Sequence, residues 1–169
     1  MKKYEFTDKV KHVHGITLHR IRHIKTGKLG GWLQSEKNLS QLGDAWVFGN
    51  AQVFSNAQIS GNAKVFDDAR VSGNAEVFGK ARVSGDAWIS GKAQIFDKAW
   101  VFDNARVAGN ARVSGDAWVS DKAQVYGDAQ ISDKAWVFGK AQVAGNAQVI
   151  GNADIYGNTR ISGSTKIYK

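Results

Sequence analysis

The sequence predicts an all-β fold, a parallel β-helix wound from six-residue repeats behind a small N-terminal β cap, and three observations carry that prediction. From Ala45 a hexad recurs without insertion, reading AWVFGN, AQVFSN, AQISGN and so on to TRISGS and the partial TKIYK. Its first position is Ala in nineteen hexads and then Thr159 and Thr165, and its third is Val or Ile throughout, from Val47 to Ile167. Its last two positions are turn formers: Gly-Asn, Gly-Asp, Gly-Lys, Asp-Lys, Asp-Asn.

Residues 1–44 come first and have no such period. They hold nine Lys/Arg against four Asp/Glu, a net +5 of the total +8, whereas residues 45–169 hold fourteen against eleven. They read as two or three short strands and a Gly30-Gly31 turn, with Trp32, Leu33, Leu39 and Leu42 available to plug the open mouth of the helix. Such a mouth exposes unpaired backbone groups and needs a cover. All four histidines lie here. His12 and His14 share one side of a strand, as do His19, Ile21 and His23, while Arg20 and Arg22 take the other side. Imidazoles can ligate zinc, but no Cys or carboxylate pattern completes a set and Ile21 sits among them, so no metal site is expected. The Arg20/Arg22/Lys25 stripe reads as a solvated basic face, with phosphate contact as the alternative.

The hexads follow. Positions one and three are two apart and point to the same side of a strand, and position two points the other way. Position two is Gln, Arg, Lys, Trp, Glu or Asp, as a solvent-facing wall requires. β-Branched Val and Ile favour a pleated surface. Gly, Asn and Asp tolerate positive φ at the corner. One strand of this length buries nothing alone, so successive coils must stack. A propeller blade needs a far longer unit, and glycine at every corner is unfavourable in an α-helix.

This pattern resembles the hexapeptide repeat of left-handed parallel β-helices, with an aliphatic residue every sixth position and a small residue two before it. The resemblance implies the left hand, a triangular coil of three hexads and about seven coils over residues 45–169, a prism of roughly 34 Å at about 4.8 Å per rung. The junction LGGWLQSEKNLSQLGDAWV (residues 29–47) also resembles that of bacterial and prophage hexapeptide-repeat proteins with a small β head.

Three hexads per coil give three unequal walls. The first takes Trp46, Lys64, Arg82, Trp100, Trp118, Trp136 and Asp154 at position two, and Phe48, Phe66, Phe102, Phe138 and Tyr156 among its position-four residues. The second takes Gln52, Arg70, Trp88, Arg106, Gln124, Gln142 and Arg160; the third is mainly glutamine. Trp100, Trp118 and Trp136 are therefore expected on consecutive rungs, as a ladder. Stacked rings stabilise a solenoid in their own right, and a flat exposed aromatic surface marks a partner site. The candidate binding residues are Trp46, Lys64, Arg82, Trp100, Phe102, Trp118, Trp136 and Phe138.

The function expected is a non-catalytic binding or scaffold protein. Hexapeptide-repeat acyltransferases and zinc carbonic anhydrases use histidines on the coil walls or loops, and acyltransferases also use extruded loops. The repeat here has no histidine and no insertion, and acids such as Asp67, Asp68 and Asp103 sit at corners. No catalytic residue and no cofactor are expected; a degenerate acyltransferase-like enzyme is the rival. The resemblance implies a homo-oligomer, through the aromatic face or the uncapped C-terminal end; a protein partner or sugar chain also suits that face. A nucleic-acid or nucleotide binder, using the basic head and bases stacked beside Lys64 and Arg82, is the further alternative. Cysteine is absent, which excludes disulfides and thiolate metal sites. No run is long and apolar enough to span a membrane, and MKKYEFTDKVKH lacks a signal peptide's apolar stretch, so a cytoplasmic location is expected.

Overall fold

The structure, a computed structural model, describes residues 2–169. Two head strands, β1 (Tyr4–Val13) and β2 (Ile16–His23), pair antiparallel around a turn in which His14 and Gly15 both have positive φ. That is the geometry a two-residue hairpin demands. Strand β3 (Leu29–Leu33) pairs antiparallel with β2 on one side. On its other side it runs parallel to Gln52–Val53, with Trp32 opposite Gln52 and Leu33 opposite Val53. Leu39 then bridges Ile59 in parallel. Parallel stacking therefore starts ahead of Ala45, and head and repeat share a sheet.

Each hexad contributes a short strand at positions two and three, from Trp46–Val47 to Lys166–Tyr168. These strands form three parallel columns of seven, one of which β1, β2 and β3 extend to a ten-stranded sheet. Residues eighteen apart stack in register, as Arg82, Trp100, Trp118, Trp136 and Asp154 do. Positions two, four and six each donate a backbone N–H to the next coil: Trp100 to Ala117 O at 2.9 Å, Phe102 to Val119 O at 3.0 Å, Asn104 to Asp121 O at 2.8 Å. The Ala and Val/Ile columns are buried along nearly the whole stack, and exposure begins only at the last rungs. The interior is thus the thin apolar filling that the two columns predict.

Every position-five residue from Gly49 to Gly163 has positive φ. Stacked corners leave little room there: a Cβ on Gly85 would lie 2.8 Å from Asp103 N. Glycine removes that conflict. Five corners use aspartate instead, and each offers Oδ2 to the position-five N–H one coil on. Asp67 accepts from Gly85 (3.0 Å), Asp97 from Gly115 (3.2 Å), Asp103 from Asp121 (3.4 Å), Asp121 from Gly139 (2.9 Å) and Asp133 from Gly151 (3.1 Å).

The mouth is sealed by polar pairing beside the apolar side chains of Tyr4, Ile21, Leu33 and Leu39. Buried Asn38 donates Nδ2 to Ser55 O (3.0 Å) and Ala57 O (2.9 Å), and its Oδ1 accepts from Ser35 N at 2.8 Å. Lys3 Nζ donates to Ala45 O at 2.9 Å. The buried Tyr4 hydroxyl donates to Leu39 O at 2.8 Å, and burial, followed by the nearby Glu36, pushes its phenol well above the usual range. Leu33 and Leu39 are buried as expected, but Leu42 is 81% exposed and plugs nothing. Gly30 and Gly31 are not a turn. They lie inside β3, where a Cβ on Gly30 would meet Ile21 at 2.6 Å and Trp46 at 2.8 Å, and one on Gly31 would meet Val47 at 2.5 Å. Two glycines are needed because the backbone there approaches neighbouring side chains, not because the chain reverses.

Candidate contact face

Position two of the first column holds the aromatic residues, and the outward direction of that position sets them on one wall. Trp100, Trp118 and Trp136 occupy consecutive rungs. They do not form a flat ladder. The indoles meet edge to face, at 5.8 Å and 78° and then at 5.6 Å and 79°. That arrangement suits the ring quadrupole better than a sandwich, and it makes the wall ridged. Phe102 packs on Trp100 at 4.6 Å, Phe138 on Trp136 at 4.4 Å, and Tyr156 stacks on Phe138 at 5.5 Å.

The residue sixteen before each of these tryptophans lies against its indole. Ser84 and Ser120 accept the indole N–H of Trp100 (3.0 Å) and Trp136 (3.1 Å), and on the second wall Ser72 accepts that of Trp88 (3.3 Å). A serine both leaves space and satisfies the N–H. Trp118 has Phe102 in that place, at 6.1 Å and edge to face, and it is as exposed as the serine-bonded Trp88. Trp46 has Gly30 there and drops inward until only 7% is exposed. It packs on Tyr4 at 6.2 Å and His23 at 5.4 Å. Trp46 therefore belongs to the seam between head and coils, and the contact face lacks it.

Lys64 sits near the seam too: Nζ donates to Asp44 O and lies 5.8 Å from the Phe48 ring. The Arg82 guanidinium lies 6.0 Å from the Trp100 ring. The part of the wall that remains open runs from Arg82 to Tyr156. Across its C-terminal rungs lies an open groove of about 440 Å³, lined by Asp116, Trp118, Lys134, Trp136 and Asp154. Asp116 and Lys134 are position-six residues of the adjoining hexads. Sequence reasoning omitted them from the site because it sorted walls by position two; their distance of two residues before Trp118 and Trp136 was the available signal.

The head histidines pack and cap. His19 stacks on Phe6 at 4.9 Å, and His12 Nδ1 lies 3.0 Å from Thr17 Oγ1. Among the described residues no three His, Cys, Asp or Glu side chains are placed to hold a metal ion. Among those residues, too, no helix is long and apolar enough to cross a membrane.

Residues 57–73 and 105–121 match a family model described as YdcK Beta solenoid repeat. Each matched segment is a run of hexads, and the parallel columns extend the same geometry along the rest of the repeat. The chain is a β-solenoid repeat protein. No curated protein matches it. The solenoid's corners and core are thus those of a repeat scaffold, with its variable chemistry at positions two, four and six.

Proposed function

We propose that this solenoid is a non-catalytic scaffold that associates with a second copy of itself through the wall between Arg82 and Tyr156. One observation carries the reading: the edge-to-face indole row of Trp100, Trp118 and Trp136 ends in a groove, bordered by Trp118 and Trp136, that holds both charge signs, Asp116 and Asp154 with Lys134. In a two-fold pairing each patch meets its own copy, so a patch bearing both signs is able to complement itself. Exposed aromatics supply the apolar area that such contacts use. The five corner aspartates that accept neighbouring N–H groups are engaged in holding coils together, which supports a structural rather than an acid–base role.

The reading includes the finer resemblance to left-handed hexapeptide-repeat proteins of bacteria and prophages, with side-by-side packing of coils and a cytoplasmic location. Stacking end to end through Ile155, Ile161 and Ile167 is the competing arrangement, because the strands that carry them are the outermost of their columns. The test is molar mass by light scattering for the native chain and for Trp118→Gln with Trp136→Gln. The native chain is expected as an oligomer and the double variant as a monomer of unchanged circular dichroism. A variant oligomer of native mass would reject the aromatic wall as the interface.

A further inference from the structure

The ten-stranded sheet carries a second aromatic row, on a different wall. Its successive partners are Arg20, Trp32, Gln52, Arg70, Trp88 and Arg106. Because head and coils share this sheet, the head's cations fall into line with those of the repeat. Lys11 Nζ lies 4.5 Å from the Trp32 ring centre, and the Arg20 guanidinium lies 5.1 Å from it. The Arg106 guanidinium lies 5.9 Å from the ring of Trp88, which is 42% exposed.

Three observations point to an anionic ligand. Among the described residues the ion pairs are Lys2–Glu36, Arg22–Glu5 and Lys98–Asp116, so Lys11, Arg20, Arg70 and Arg106 belong to none. Burial, then repulsion from Arg20 and Arg70, holds the Lys11 ammonium below the usual amine range, with Asp68 countering only in part. Among the described residues the buried side-chain polar atoms without a hydrogen-bond partner, Arg20 Nε, Trp32 Nε1 and Gln52 Oε1, all fall in this row. Two of them are donors, and Gln52 presents a donor when its amide is turned over. An anion relieves the crowding of cations, and the idle donors mark the row as short of acceptors.

The alternation of cation and ring narrows the class. Phosphates suit the guanidinium and ammonium groups, and an exposed indole between two guanidiniums offers a base a stacking platform. Duplex DNA hides its base faces, while an acidic protein segment or a sulfated sugar has no base to stack. We propose that this row binds single-stranded nucleic acid, with a phosphate held among Lys11, Arg20 and Arg70 and a base stacked on Trp88. This site is separate from the self-association wall and stands or falls apart from it.

The experiment is fluorescence anisotropy of a labelled oligothymidine strand on the full chain across a salt series. Each phosphate neutralised on a single strand contributes about −0.7 to the slope of log K against log salt, so three or four cations give roughly −2 to −3. Arg70→Gln is expected to weaken binding and reduce that slope by about 0.7. Trp88→Ala is expected to weaken binding roughly tenfold at every salt and leave the slope unchanged. Both side chains are exposed at position two, and circular dichroism checks that the variants fold. Trp118→Gln with Trp136→Gln is expected to bind the strand as the native chain does. Absent binding at low salt, native affinity in Trp88→Ala, or equal competition by heparin and duplex DNA would overturn the proposal, the last outcome leaving a charge-only polyanion surface.

Discussion

Asp121 offers the sharpest test of how the corners hold. It has φ 56°, a left-handed conformation that costs an ordinary L-residue about 1–2 kcal/mol and Asp somewhat less. Its Oδ2 accepts the Gly139 N–H at 2.9 Å, a bond to a charged group worth about 1.5–3 kcal/mol at best and nearer the low end at an exposed corner. Asp121→Ala loses that bond and keeps the left-handed penalty, for a total of about 2 kcal/mol. Asp121→Gly loses the bond too, but the conformational relief offsets most of the loss, less about 0.5–1 kcal/mol for glycine's freedom in the unfolded chain. Asp121→Asn keeps an acceptor oxygen and costs least. At about 2–4 °C per kcal/mol for a domain of this size, thermal unfolding followed by circular dichroism should place the alanine variant roughly 4–8 °C below native and clearly below the glycine variant. Equal melting of the alanine and glycine variants would refute the conformational argument, and a glycine variant melting no lower than the asparagine variant would refute the hydrogen bond's share.

Other perturbations separate the remaining claims. Val119→Ala removes a fully buried side chain sandwiched between Val101 and Val137 and should cost about 2–3 kcal/mol; Ile161→Ala, at a last rung with one stacked neighbour, should cost less despite the larger truncation, as denaturant midpoints will show. Gly30→Ala must displace Ile21 or Trp46, an overpacking of about 1–3 kcal/mol, and protease cleavage after the head should accelerate. Lys11 titrates below its usual 10.5 in the folded chain, so between those two values the unfolded chain binds more protons and stability climbs with pH. Lys11→Met should flatten that climb relative to native in a melting series; a parallel pair of curves would remove the charge crowding from the account.

The period and the inward columns were readable because each is a local rule repeated at every hexad: alternation fixes which side faces in, and Gly or Asp fixes the corner. The walls were readable once eighteen-residue stacking was supposed, and Arg82, Trp100, Trp118 and Trp136 share a column as that spacing requires. What escaped was set by side-chain lean between coils. Nothing local says that Trp46 sinks while Trp118 stands out; that depends on Gly30 sixteen residues back and on Tyr4 and His23 of the head packed around Trp46. The ladder was expected to present a flat aromatic surface, whereas its indoles meet edge to face and make it ridged. Gly30-Gly31 read as a turn because glycine pairs usually reverse a chain, and only the proximity of Ile21, Trp46 and Val47 shows the other reason for them. The row joining Arg20 to Arg106 was hidden because it crosses from head to repeat, where no period connects the two.

Register in steps of eighteen makes the molecule's length a quantised variable. Excising residues 99–116 would remove one storey and rejoin Lys98 to Ala117, shortening the prism by about 4.8 Å while every wall keeps its alignment. Excising a single hexad would instead turn everything downstream by one wall, carrying Trp118 and Trp136 away from Arg82 and on to a neighbouring side. Evolution or design can therefore lengthen this rod in whole storeys and re-aim its surfaces in single hexads, two independent adjustments written into one chain.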